Sequence, residues 1–297
     1  MDEQEWLADR FEEHRAHLRA VAYRMLGSLA EADDAVQDTW LRLSRSRAGE
    51  VENLGGWLTT VVARVCLNVL RSRNVRREEA LGVHLPDPVI KGPEEEALLA
   101  DSIGLALLVV LDTLAPAERL AFVLHDMFQL PFEEIAPIVG RSPAAARQLA
   151  SRARRRVRGA EIPAPDPDLA RQRQVVDAFF QAARGGDFDA LVTLLDPDVV
   201  LRADAGARRP AASVVLRGAA AVAGQALGGG SGGDRVRQAA VLRPALVNGA
   251  AGVVITIGGR PYAVMGFTVA EGKIVEIDVI ADPERVRRIA AAVFTDE

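Results

Sequence analysis

The hydrophobic pattern of this chain changes period once, at a proline-dense stretch reading Gly159-Ala160-Glu161-Ile162-Pro163-Ala164-Pro165-Asp166-Pro167. Before it, apolar residues recur at helical spacing; after it, two helices give way to strand-like runs. The chain therefore divides into an all-α part and an α+β part, joined by a linker stiffened by alternating prolines. At 297 residues it is long enough for two or three small domains, each with its own core.

In the first part, Ser28-Leu29-Ala30-Glu31 follows Gly27 as an S-x-x-E capping box, which predicts a helix starting near Leu29. Along it Ala35, Val36, Thr39, Trp40 and Leu43 repeat at helical spacing and are expected to be buried. Asp34, Gln37 and Asp38 fall on the other side and make an acidic face. From Leu58 a second apolar stripe runs through Val61, Val62, Val65 and Val69. Opposite it lie Trp57, Thr60, Arg64, Asn68 and Arg71, a stacker, hydrogen-bonders and phosphate binders, and Arg73, Arg76 and Arg77 extend the cationic surface.

A second nucleic-acid signal is LPFEEIAPIVGRSPAAARQLASRARRRVR, Leu130 to Arg158. Phe132 to Val139 reads as a short helix stopped by Gly140, and Ser142 caps another with Pro143 at its first position. Ala146, Leu149, Ala150, Ala153 and Val157 form the inward stripe. Arg147, Gln148, Ser151 and Arg152 point outward, with Arg154, Arg155, Arg156 and Arg158 following. This is a helix-turn-helix whose second helix suits a major groove.

Composition bounds the reading. A net charge of −5 argues against a protein that coats DNA nonspecifically, though not against local basic faces. The single cysteine, Cys66, lies on the apolar side of its helix and allows no disulfide within the chain, which suits the cytoplasm. His14, His17, His84 and His125 are too scattered to suggest a metal site. There is no signal-like N-terminal segment and no apolar run long enough to span a membrane, so no membrane insertion is expected.

Between the two motifs a linker runs from about Arg77 to Glu95 and contains Leu85-Pro86-Asp87-Pro88 and Gly92-Pro93. Its Val83 to Pro88 portion is apolar enough to dock. After it, Ile103, Leu107, Val110 and Leu114 mark one helix; Pro116 opens another carrying Leu120, Val123, Leu124 and Met127.

In these motifs the chain resembles an extracytoplasmic-function sigma factor, a two-domain initiation subunit of bacterial RNA polymerase. DDAVQDTWLRL resembles the polymerase-binding part of region 2. GWLTTVVARVCLNVLRSR resembles the part that engages the −10 element, and the helix-turn-helix resembles the part of region 4 that reads the −35 element. The resemblance spans residues 10–158. It implies that Asp33, Asp34, Gln37, Asp38 and Trp40 dock on core polymerase, and that Arg64, Asn68, Arg71 and Arg73 contact the −10 strand. Arg147, Gln148, Ser151 and Arg152 would read −35 base edges, and Arg154, Arg155 and Arg156 would bind phosphates. Polymerase performs the chemistry, so no cofactor is expected.

In the last part, Val175, Val176, Phe179, Phe180 and Ala183 make an amphipathic helix ended by Gly185-Gly186, and Asp187 caps the next through Leu195. Strand-like runs follow at Val199 to Ala203, Val236 to Val247, Val253 to Ile257, Tyr262 to Val269 and Ile274 to Ile280, the last two forming a hairpin. Gly228 to Gly233 reads as a low-complexity linker. The expected fold is an α+β cone with a curved sheet around a pocket. FFQAARGGDFDALVTLLDPDVVLRADAG resembles the opening of the SnoaL-like, nuclear transport factor 2-like fold, and one subgroup of these sigma factors carries such an extension. His84 to Pro88, Asp204 to Arg208 and Ala281 to Val286 resemble that subgroup's linker, glycine-rich and terminal motifs. His84 stands where the subgroup has tryptophan, and Ala205 and Ala207 interrupt the glycine run.

The domains are thus expected at 1–77 and 99–158, with linkers at 78–98 and 159–169 and the extension at 170–297. An intramolecular regulatory contact is expected through Leu85, Pro86, Asp87, Pro88, Asp204, Asp282 and Pro283, with Val286, Ile289, Ala290 and Val293 forming the apolar side of a terminal helix. Tyr262 and Asp278 are the candidate pocket residues for a small ligand, and with Asp204 they are the available catalytic groups. The contrasting readings are a repressor or activator that binds promoter DNA without polymerase, and a SnoaL-like enzyme with a DNA-binding appendage. The promoter sequence and any anti-sigma partner are not legible.

Overall fold

The computed structural model describes residues 3–46, 53–77, 83–91, 104–160, 164–228 and 239–291, with the side chains of 3, 4 and 74–77 excluded. Two compact units emerge: Met1–Ala80 with Val110–Glu161, and Leu81–Val109 with Ile162–Glu297. Both helical motifs therefore share one unit, and most of the linker expected at 78–98 falls within 81–109, which belongs to the other.

The first unit begins with α1 (Glu3–Leu26), α2 (Leu29–Leu43) and α3 (Leu54–Arg77). Ser28 accepts from the Glu31 amide at the start of α2, but only half of the capping box forms: the Glu31 carboxylate turns to Arg73 instead. Helices α1, α2 and α3 pack together, burying Phe11, Leu18, Val21 and Met25 of α1 with Ala35, Val36 and Leu43 of α2. On α3 the buried stripe is broader than its valines suggest. Leu58, Val62, Val65, Cys66, Leu67 and Leu70 are buried, whereas Val61 and Val69 are half-exposed.

The same unit holds α5 (Pro116–Phe122), a wide π-helical turn at Val123–Met127, α6 (Phe132–Val139) and α7 (Pro143–Gly159). Gly140 ends α6 in the left-handed region at φ 68°, where a side chain would be strained, and Ser142 caps α7. Arg119 of α5 is 1% exposed. It donates to Asp112 at 3.0 Å and to the Arg24 carbonyl of α1 at 3.2 Å, tying the two helical groups together.

The second unit is built on a seven-stranded sheet in the order β1-β4-β5-β6-β7-β2-β3. Its strands are β1 (Ile90–Lys91), β2 (Leu195–Asp204), β3 (Val214–Arg217), β4 (Ala240–Val247), β5 (Ala250–Ile257), β6 (Arg260–Ala270) and β7 (Lys273–Ile280). All neighbours pair antiparallel except β2 with β7. The β6–β7 hairpin turns at Glu271 and Gly272, both at positive φ, as its sequence requires. The helices are α4 (Leu105–Asp112), which crosses the boundary between units, then α8 (Leu169–Gly185), α9 (Phe188–Leu194), α10 (Ala219–Gly228) and α11 (Pro283–Ala290). In α4 the buried leucines are 105, 108 and 111 rather than 107.

The two faces of the sheet bury different things. Helices α8, α9 and α10 cover the first, where Phe179, Leu201, Val253, Phe267 and Ile277 fill the interior of the cone. The second takes α11 through Val286 and Ile289, and the docked segment through Leu85 and Ile90. Strand alternation places Arg202, Asp204, Glu276 and Asp278 on this second face, because Leu201, Ile277 and Val279 occupy the first. The expected regular strands are present; β1, β3 and α10 were not anticipated. Arg76 and Arg77 as side chains, Ile103, Glu161 to Pro163, Gly229 to Gly233, the Val236 to Gln238 start of one strand, and Val293 lie outside the described residues.

Candidate functional site

On α2, Asp34 and Gln37 are exposed, Asp38 pairs with Arg42 at 3.0 Å, and Asp33 pairs with Arg19 at 2.6 Å. Trp40 turns inward against Phe11, with ring centroids 5.2 Å apart. Leu41, which the sequence reading passed over, is 42% exposed, one helical repeat beyond Asp34 and beside Asp38. An apolar side chain seven residues along an acidic face was the available signal.

On α3, Arg64, Asn68 and Arg71 form an exposed row. Arg73 departs from it. Its guanidinium donates to the Leu26 carbonyl at 2.8 Å and to Glu31, so it neutralises the open C-terminus of α1 and joins three helices. Cys66, buried against the core, has its thiol pushed up to about 12 by desolvation and is no nucleophile.

On α7, Arg147, Gln148, Ser151 and Arg155 are exposed, and Arg147 lies over the Phe132 ring at 5.2 Å. Arg158 is exposed as well, and three further cations are tethered: Arg152 to Glu118 at 2.9 Å, Arg156 to Glu118 at 3.7 Å and to the Thr113 carbonyl at 3.4 Å, and Arg154 to Asp126. These ties hold α7 against α5 and the π turn.

In the second unit, Arg285 of α11 is the hub of a clasp that no helical or strand spacing in the sequence announces. Its Nε donates to Asp87 at 2.7 Å, its Nη1 to Asp204 at 2.6 Å and its Nη2 to the Leu85 carbonyl at 2.6 Å. Asp204 also accepts from the Leu85 amide at 3.0 Å and the Gly206 amide at 2.9 Å. Asp282 caps α11 through the amides of Glu284 and Arg285. Gly206, at φ 80°, leaves no room for a Cβ against the Asp282 carboxylate. Leu85, Pro86, Asp87 and Pro88 are all buried. The structure thus brings the linker, glycine-rich and terminal motifs together, while Pro283 is exposed at the first turn of α11.

Asp278 faces neither the cone interior nor water. It is 4% exposed on the second face, held by Arg202 at 3.2 Å, which also binds Glu276 at 3.0 Å. Desolvation lifts its carboxyl to about 6, against the opposing pull of Arg202. Tyr262 sits half-exposed where the β5–β6 register slips, and bonds to neither acid. Among the described residues no group of three or more His, Cys, Asp or Glu could hold a metal, and no helix is long and apolar enough to cross a membrane.

Two family models match the chain: Sigma-70 region 2 over residues 10–76, and Sigma-70 region 4 over residues 104–157. The ECF RNA polymerase sigma factor SigJ of Mycobacterium tuberculosis is 40% identical over 287 residues, covering 93% of this chain and 91% of that protein. The probable ECF RNA polymerase sigma factor SigI of the same species is 35% identical over 94% of both chains. The crystal structure of the M. tuberculosis SigJ protein superposes with a TM-score of 0.69 at 36% identity, covering 94% of this chain and 97% of that one.

Proposed function

Because the chain belongs to the extracytoplasmic-function sigma factors, we propose that it acts in the cytoplasm, recruiting core RNA polymerase to a limited set of promoters through three separate surfaces. The observation that carries this reading is the 40% identity over an alignment that covers 93% of this chain, and so takes in both sigma regions and the extension. Asp34, Gln37, Asp38 and Leu41 offer polymerase a face of carboxylates around one apolar centre. Arg64, Asn68 and Arg71 meet the −10 strand as its bases leave the stack, a step that Arg73 supports only by bracing α3. Arg147, Gln148 and Ser151 read −35 base edges, and Arg155 binds phosphate; Arg152, Arg154 and Arg156 chiefly orient the helix.

The extension is regulatory and does not catalyse. The two candidate catalytic acids, Asp204 and Asp278, lie on the sheet face opposite the helix-covered cone, and aliphatic and aromatic side chains pack that cone. The clasp on Arg285 holds Leu85 and Asp87 of the segment between the two sigma regions to the extension, and opening it is expected to change transcription from a cognate promoter. The test is run-off transcription with purified core polymerase on genomic promoter fragments. The sigma reading requires specific transcripts only when this chain is added. A repressor would bind the fragments alone and yield none.

A further inference from the structure

We propose that a cavity lined by Leu105, Val247, Gln172 and Asp278 binds a small organic cation: an amine on a compact apolar body. The cavity measures about 380 Å³, within the roughly 300–1,000 Å³ that small-molecule sites occupy. A register pair without side chains, Gly252 and Gly266, forms the sheet beneath that wall. A Cβ at Gly266 would lie 3.0 Å from Val247 Cγ1 and 3.5 Å from Leu105 Cδ2, so these side chains settle directly onto bare backbone. Next in register stands Asp278, opposite Gly266, with Thr268 also lining the space.

The chemistry at that end selects the ligand's charge. Asp278 and Glu276 share one guanidinium, Arg202, and the three side chains are 4%, 13% and 19% exposed. Of the three only Asp278 lines the cavity; the group carries one uncompensated negative charge, and Glu276 Oε2 is buried without a hydrogen-bond partner among the described residues. Such a charge is costly until a proton or a cation joins it. The raised affinity of Asp278 for a proton is one expression of this. A bare metal ion is a poor alternative, since no group of three or more candidate ligands exists among the described residues. The apolar wall instead suits a hydrocarbon body, with the ammonium directed at the carboxylate.

The test is calorimetric titration of the full chain with benzylamine and its neutral and anionic isosteres, benzyl alcohol and benzoate. Benzylamine is expected to bind about tenfold or more tighter than benzyl alcohol, as a charge-assisted hydrogen bond requires, and benzoate least. Its affinity should fall as pH drops through about 6, when the proton competes for Asp278 in the presence of Arg202 and Glu276. Leu105→Trp fills the cavity without touching the acids and should abolish binding in a folded protein. Asp278→Asn should erase the preference for amine over alcohol, which keeps the test decisive if Leu105→Trp does not fold. Equal affinities for amine and alcohol, no binding by benzylamine, or unchanged binding in either folded variant would overturn the proposal.

Discussion

The arginines of α7 and the arginine of α11 carry the same charge and do opposite work. Arg147 and Arg155 stand on an exposed helix face, whereas Arg285, 14% exposed, is enclosed by the Leu85 backbone carbonyl and the carboxylates of Asp87 and Asp204, 6% and 3% exposed. A cation left to solvent can exchange water and counterions for a phosphate or a base edge, and a cation already matched by buried oxygens cannot. Arg73 and Arg119 belong with Arg285, since each is absorbed by helix-end carbonyls and carboxylates. Arginine content alone therefore overstates the DNA-binding surface, and exposure corrects it.

The comparison breaks most visibly at Arg285. Arg285→Ala removes the guanidinium shared by the buried carboxylates of Asp87 and Asp204, and should destabilise the second unit by about 3–5 kcal/mol in chemical denaturation. Arg285→Lys should recover only part of this, because an ammonium cannot serve three acceptors in the plane of a guanidinium. On the exposed side, the double variant Asp34→Arg with Asp38→Arg should leave the denaturation midpoint nearly unchanged. In pull-down it should lose core polymerase, since like charges brought together at an interface cost several kcal/mol.

Smaller effects separate the exposed cations from one another. Arg147→Ala and Gln148→Ala should each lower discrimination between matched and mutated −35 elements by about 1–3 kcal/mol in competition binding by the holoenzyme. Arg155→Ala should weaken both elements alike. The slightest change is the pH dependence at Asp278. Its carboxyl is raised in the fold, so its contribution to stability is complete below its unfolded value near 3.8 and is lost as pH rises through about 6. Melting curves of the wild type and Asp278→Asn should converge or cross in that window, and parallel curves would show that Asp278 does not titrate there.

What could be read from the sequence follows the range of the interactions. The α7 cap, its proline, the Gly140 stop and the exposed face are all set within a few residues, so periodicity reveals them. The hairpin turn at Glu271 and Gly272 is equally local. By contrast Arg285 meets partners at Leu85, Asp87 and Asp204, and neither helical nor strand spacing links positions so distant. Strand β1 is two residues long and exists only because Ile90 and Lys91 find Val247 and Leu246. Strand β3 is four residues long, and α10, rich in alanine and glycine, shows little amphipathic contrast, so neither announces itself. Asp278 was legible as an alternating acid, but its face was settled by packing, which gave the cone side to Ile277 and Val279.

The most direct test of the division between exposed and enclosed cations is the salt dependence of promoter binding by holoenzyme assembled with the full chain. Each phosphate contact contributes close to one unit to the slope of log affinity against log salt. Arg155→Ala should reduce that slope by about one, whereas Arg285→Ala, measured where the variant is folded, should leave it unchanged. A slope reduced equally by both substitutions would contradict the account, because it would put the enclosed arginine on DNA.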